Sequence, residues 1–367
     1  MPPGWPRGDR AAFRAIFGAR SHRLAFASVT VNLHSDTQTR PTAQMRAAIA
    51  TAEVGDEQRG LDPTTRELER RVAELLGHED AVFLPSGTMC NEIALRLHIR
   101  PGGDALLLDR TAHPVIAEAG GPAALSGAMI HTLEGEHGIF TAAQLERAVS
   151  SPGDRYSARS RVVSVEQTTN MGGGRVWPVE RIDQILDVAR THGLRAHLDG
   201  ARLMNAVVAS GVPAERYAAG FDTAWIDFSK GLGAPVGAVL AASAELIEEA
   251  WRYKQMLGGA LRQSGILAAA CRYALEHNVE RLAVDHENAR LLGEGLAEIP
   301  GVELDPDAIE TNIVIFSVKD APALVARLAP EVDVMALDDR RIRAVTHLDV
   351  DRPQIEQALD AFSASLR

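Results

Sequence analysis

The chain has 367 residues, 46% of them hydrophobic, enough to bury a substantial core in two domains or one large one. With 49 acidic against 38 basic residues its net charge is -11, which disfavours nucleic acid or an anionic membrane as partner. No apolar run approaches the roughly 20 residues of a membrane helix, and two cysteines, Cys90 and Cys271, give no disulfide framework, so a cytoplasmic location is expected.

Residues 1–28 stand apart. They are rich in Arg, Ala and Gly, and their apolar stretches, Phe13–Phe17 and Leu24–Phe26, are too short for a signal-peptide core. They are expected to be a disordered N-terminal extension or the product of an upstream start codon. Residues 29–275 are expected to form a large cofactor-binding domain and residues 276–367 a smaller C-terminal α+β domain.

Order is expected from Val29, through Ser35-Asp-Thr-Gln-Thr-Arg-Pro41, into a helix over Thr42–Ala52 with Met45, Ala48 and Ile49 at helical spacing. After the loop Gly55–Pro63, Thr64–Leu76 reads as an amphipathic helix with Leu68, Val72, Leu75 and Leu76 on one face. The apolar run from Ala81 turns through Ser86-Gly87-Thr88 into a helix over Met89–Leu97. Helix N-termini bind anions through free N–H groups, although Ser-Gly-Thr alone describes an ordinary N-cap equally well. A strand over Ala105–Leu108 leads to His113; a lone histidine there is more often structural than catalytic. Further strands are read at Met129–Leu133 and Arg161–Glu166. The glycines 172–174 that follow lack dinucleotide-fingerprint spacing and are taken as a flexible active-site loop. Helix Val179–His192 returns the chain to a strand at Leu194–Leu198.

The stretch His197–Lys230 organises the rest. Asp199 ends one strand-like run, and a second, Thr223–Phe228, is followed by Ser229 and Lys230, with a helical segment between them. In an open parallel sheet both strand ends face one crevice, where ligands bind. An aspartate and a lysine there suit pyridoxal 5'-phosphate: the amine condenses with the cofactor's aldehyde, and the carboxylate keeps the pyridine nitrogen protonated. A surface salt bridge is the bland alternative, and composition argues against it. Only Lys230, Lys254 and Lys319 among the 38 basic residues are lysines, so this chain writes arginine wherever charge alone suffices, and arginine cannot be deprotonated to a nucleophile. Beyond Lys230 come a strand at Val236–Ala241, a helix at Glu245–Lys254, a long helical stretch Ile266–Glu298 broken near Asn278, and strands at Asn312–Val318, Val332–Ala336 and Ile342–Val345. Helices Ala321–Leu328 and Arg352–Leu366 complete the small domain.

These motifs together identify a resemblance. Ser35–Pro41, Leu84–Thr88 with Asn91, Glu118–Gly121, His197–Arg202, Ser229–Gly237 and Thr346–Asp349 resemble the low-specificity threonine aldolases, within the β-eliminating-lyase-like group of fold type I pyridoxal-phosphate enzymes. The resemblance runs from about Leu33 to the C-terminus. It implies an α/β fold with a mostly parallel central sheet, and retro-aldol cleavage of a β-hydroxy-α-amino acid to glycine and an aldehyde. It implies that Lys230 holds the cofactor, Asp199 its ring nitrogen, His113 its ring face, and Gly87, Thr88 and Arg262 its phosphate. Arg262 would come from a neighbouring subunit of a homotetramer built as a dimer of dimers, with active sites shared between subunits. Ser35, Arg202 and Arg343 would hold the substrate carboxylate, and no metal is implied. The chain departs from the family at Arg59, where a tyrosine is usual, at Leu61, where an acid is, at Tyr156 and Thr169, where histidines are frequent, and at Gln255, which aligns with a lysine near the phosphate. Tyr156 and Thr169 are expected near the substrate's β-substituent; Arg59, in the loop beside the substrate, either reads that substituent or points to solvent or pairs with Asp56 or Glu57. A β-eliminating lyase acting on a related amino acid and a diverged cofactor-binding protein are the alternatives.

Overall fold

The computed structural model describes residues 31–100, 103–151 and 153–366; the expected extension 1–28 lies outside them. The described chain opens on strand β1 (Val31–Asn32) and continues through β2 (Asp80–Leu84), β3 (Ala105–Asp109), β4 (Met129–Leu133), β5 (Ser160–Glu166), β6 (Arg195–Asp199), β7 (Thr223–Asp227) and β8 (Ala238–Ala242). The last four strands are β9 (Ile313–Ser317), β10 (Val332–Asp333), β11 (Met335–Ala336) and β12 (Arg341–Val345).

Strands β2 to β8 form one seven-stranded sheet in the order β2-β8-β7-β6-β5-β3-β4. All pairs from β4 to β7 are parallel, and β8 runs antiparallel between β7 and β2. Its inner strands are buried along their length because both faces are covered, whereas the edge strand β4 is mostly exposed. Side chains alternate across a strand, so Phe83, Leu107, Val163, Val165 and Val239 join one core cluster. Their neighbours Val82, Leu84, Leu106, Leu108, Val162 and Leu240 join the clusters on the other face. Glycine is required where elements meet most closely: a Cβ on Gly200 would sit 1.7 Å from the carbonyl oxygen of Trp225 on β7.

The helices begin and end on local chemistry. Asp62 caps Pro63–Leu76 by accepting Thr65 N–H, and Gly77 ends it with φ of 69°. Ser86 caps Gly87–His98, which starts two residues before the expected Met89.

Two compact units emerge, one of residues Thr39–Ala283 and a second in which the described residues up to Gln38 join Val284 onwards. The sequence reading instead divided the chain at 275/276 and assigned Val29 onward to the large domain. The difference arises because β1 pairs in parallel with β10, Val31 opposite Val332, and because the division falls inside helix Leu282–Ala297. In the smaller unit β12 runs antiparallel to both β9 and β11, over a core containing Leu292, Val314, Leu324 and the edge-to-face pair Phe316–Phe362. The single strand expected over Val332–Ala336 is two, because Val332–Asp333 pairs with β1 and Met335–Ala336 with β12.

Candidate active site

Parallel strands deliver their carboxyl ends to one edge of the sheet, and here four of them end in an acid: β3 in Asp109, β5 in Glu166, β6 in Asp199 and β7 in Asp227. All four side chains are buried or nearly so. Asp109 accepts N–H groups of Thr111 at 2.8 Å and Gly135 at 2.7 Å, closing the turn that leads to His113.

Lys230 follows β7 by three residues and ion-pairs with Asp227, which also accepts Ser229 N–H at 2.8 Å. The lysine side chain remains 16% exposed, with its amine 5.7 Å from the centre of the Trp225 ring. That ring is also the wall behind Gly87, where a Cβ would lie 2.3 Å from it. The helix Gly87–His98 therefore starts against Trp225, with Ser86 and Thr88 exposed at its first turn.

Asp199 lies on the neighbouring strand β6 and is 1% exposed. Its oxygens accept Ala201 N–H at 3.0 Å and the Asn91 amide at 2.8 Å. The orientation of Asn91 follows from its partners. Its Oδ1 faces the Trp225 indole N–H at 2.8 Å, a donor only, so its NH2 group must face Asp199 and, at 2.7 Å, Glu118. His197 Nε2 shares that Oδ1 at 3.0 Å and thus donates. Burial pulls the His197 pKa down to about 4, so the neutral ring's Nδ1 accepts the Thr223 hydroxyl at 2.8 Å. His98 Nε2 in turn donates to Thr223 at 3.1 Å. One directed hydrogen-bond chain thus runs from His98 to Asp199.

His113 is held from both sides. Its backbone N–H donates to Glu166 Oε2 at 2.8 Å, and its Nδ1 meets Glu118 Oε1 at 2.7 Å. Burial works against its positive charge, yet the bond to Glu118 and the charges of Glu118, Asp199 and Glu166 outweigh that and raise its pKa. Burial, reinforced by the charge of Asp199, lifts the Glu166 carboxyl to about 7.

Gly87, Thr88, His113, Asp199, Arg202 and Lys230 thus gather at the strand-end edge of the larger unit. Arg202, buried, begins helix Leu203–Ser210 with its N–H on Gln167 O at 3.0 Å. Arg262 and Arg59 are exposed, on two loops bonded to one another: Glu57 N–H donates to Arg262 O at 2.8 Å and Leu261 N–H to Glu57 Oε2 at 2.6 Å. Ser35 and Arg343 belong to the smaller unit, where both are buried and Arg343 donates to His34 O at 3.3 Å. Tyr156 is fully exposed on a surface loop, its N–H donating to Asp154. The glycine run is not a loose loop: Gly174 N–H bonds Thr169 O at 2.8 Å, and a Cβ on Gly172 would strike His137 O. Sequence reasoning missed Asp227, Asn91, Glu118 and Glu166 as site residues. Their common signal is an acid or amide at a strand end or on the first turns after it.

The donor set fits pyridoxal phosphate. An accessible amine, a buried carboxylate with fixed hydrogen bonds on the next strand, and an exposed helix N-terminus match its aldehyde, ring nitrogen and phosphate respectively. Among the described residues there is no cluster of metal-ligating side chains.

Residues 32–319 match the model of the β-eliminating lyase family. A probable low-specificity L-threonine aldolase of Arabidopsis thaliana is 40% identical over 91% of this chain and 96% of its own length. The chain belongs to the β-eliminating lyase family. A second relative, the low specificity L-threonine aldolase of Escherichia coli K12, is 37% identical over 92% of this chain and 99% of its own length. A solved threonine aldolase of Leishmania major shares the fold, with a TM-score of 0.79 and 20% identity over 92% of this chain and all of that one.

Proposed function

We propose that this β-eliminating lyase family member is a pyridoxal 5'-phosphate-dependent aldolase, cleaving a β-hydroxy-α-amino acid of the threonine kind to glycine and an aldehyde. The observation that carries it is an accessible Lys230 amine just past the end of β7, with a buried Asp199 ending the adjacent parallel strand β6 and an exposed helix N-terminus against Trp225. Relatives named as threonine aldolases at 37–40% identity support the substrate class.

When bound, the cofactor supplies an electron-accepting ring that can take up the electrons of a broken bond at the amino acid's Cα. The rest falls to the chain. Lys230 holds the aldehyde, and Asp227 orients the amine and balances its charge. Asp199 keeps the ring nitrogen protonated, its own position fixed by Asn91 and Ala201. Gly87 and Thr88 offer N–H groups to the phosphate. In its neutral form His113 donates Nδ1–H to Glu118 and carries on Nε2 the lone pair that would accept the substrate's β-hydroxyl proton, a form that, with the pKa raised, becomes more abundant as pH rises. In the larger unit Arg202 is the proposed carboxylate ligand, guanidinium matching carboxylate bidentately.

Arg262 is proposed to serve the phosphate of a neighbouring subunit, and Arg59, on the loop bonded to it, a β-substituent in the same partner site. This reading makes the active unit at least a dimer, within a cytoplasmic tetramer. Borohydride reduction followed by peptide mapping tests it: the label is expected on Lys230, with glycine and an aldehyde as products. A label on Lys254 or Lys319 overturns the site, and pyruvate with ammonia overturns the reaction.

A further inference from the structure

One buried acid near the site has no part in the chemistry above. Glu92, on the helix Gly87–His98, is 4% exposed, and neither of its carboxyl oxygens receives a hydrogen-bond donor. Gly121 packs so closely that a Cβ there would lie 1.9 Å from Glu92 Oε1, so the carboxyl is wedged in place. It faces Glu118, whose Oε1 already accepts both His113 Nδ1 and Asn91 Nδ2 at 2.7 Å, while Oε2 has no donor. Two carboxylates in contact in a buried site, with no cation between them, cannot both remain ionised at modest cost.

We propose that Glu92 and Glu118 share a single proton, and that Glu92 is a positioning residue which, through Glu118, fixes the orientation and charge of His113. The proton resides on Glu92, because Glu118 is the acceptor of two N–H donors and a charged acceptor binds them best. Glu92 then donates to Glu118 Oε2, filling the vacant acceptor and pinning the carboxylate against the imidazole. The charged group acting on Glu92 is Glu118; beyond it His113 also faces Asp199 and Glu166. Burial, with the bond and charge of Glu118 added, lifts Glu92 to about 8. Below that the pair carries one negative charge. Above it the shared proton leaves for solvent, the two carboxylates repel, and Glu118 loses its hold on His113.

The kinetic part rests on the proposed aldol reaction; the spectroscopic part does not. Infrared spectra of the holoenzyme, wild type minus Glu92→Gln, are expected to show a protonated buried carboxyl at pH 7 that vanishes as pH rises through about 8. In parallel, kcat/KM for glycine release from threonine falls above that pH in wild type, and this limb is absent in Glu92→Gln. Glu92→Leu, which leaves Glu118 Oε2 without a donor, lowers kcat roughly tenfold with little change in KM, and Glu92→Gln restores most of it. A difference spectrum without the carboxyl band, or an alkaline limb that persists in Glu92→Gln, overturns the proposal. Should threonine prove not to be cleaved, the infrared band still decides the shared proton. Should Glu92→Leu fail to fold, the glutamine variant carries both readouts.

Discussion

Two of the three lysines in this chain sit against a buried carboxylate, and the two pairs have opposite characters. Lys254 is wholly buried, paired with a 2% exposed Glu57, with the Trp251 ring 4.1 Å from its amine and that of Phe83 at 5.8 Å. Burial pulls its pKa down although Glu57 and Glu69 pull it up. Glu57 also takes Leu261 N–H, so this pair ties the 57–62 loop to the one carrying Arg262. Lys230 has the same functional groups, but its side chain keeps 16% of its surface at the strand-end edge. On the function proposed above, what separates the two lysines is therefore access rather than proximity to an acid. The sealed pair ties two loops together, and the open one is the proposed reagent.

The largest effect expected is on the open pair. Lys230→Arg keeps the charge but removes the amine proposed to join the cofactor, and should lower glycine release at least about a thousandfold with an unfolding midpoint near wild type. Lys254→Arg serves as the control that keeps activity within the range its stability allows. Next comes the sealed pair: Lys254→Met strands a buried Glu57 and should cost about 3–5 kcal/mol in urea unfolding. Adding Glu57→Gln, which still accepts Leu261 N–H, should recover a large part of that, and a double mutant no better than the single would mean the pair is not what ties the loops. Asp227→Asn removes one charge-assisted contact to Lys230 and should reduce kcat/KM roughly tenfold to a hundredfold without destabilisation on the Lys254 scale. The smallest effect is on pH dependence. Burial lifts the half-buried Glu69, beside the sealed pair, to about 7 from 4.5. The folded chain then binds that proton more tightly than the unfolded one, so stability present below about 4.5 is lost as pH rises toward 7. Glu69→Gln should flatten that slope and gain on the order of 1 kcal/mol at alkaline pH, measured by unfolding across the range.

Much of the architecture was legible because its signals are local. Apolar runs of five residues with turn chemistry on either side gave β3, β5, β6 and β7 nearly residue for residue, and the helix Val179–His192 matched at both ends. That Asp199 ends one strand and Lys230 closely follows the end of the next was legible from the apolar runs before them. What was not legible depends on which strand lies beside which. Asp227 is as close to Lys230 in sequence as any acid, yet its role as the partner of the amine follows only from the turn Ser229–Gly233 folding back. Asn91 becomes the hub only when its helix face meets Trp225, 134 residues away in sequence. The split of the smaller unit across both ends of the chain turns on a two-residue parallel contact, β1 with β10, too short to leave a periodic trace.

Strand β2 reaches the large sheet only through β8, the strand that runs against all the others. During synthesis this ordering becomes a matter of waiting. About 150 residues must be added after β2 before β8 exists, which at roughly 5–20 residues per second is on the order of 10–30 s. Throughout that interval Val82, Phe83 and Leu84 have no strand to pair with, while β3 to β7 can already assemble side by side. The sheet therefore closes from the middle of the chain outward, its last act the insertion of β8 into a slot whose two walls were made at very different times. Until then the nascent protein displays a short, sticky, unpaired edge, which makes the segment around β2 the natural handhold for a chaperone and the first place to look when expression fails.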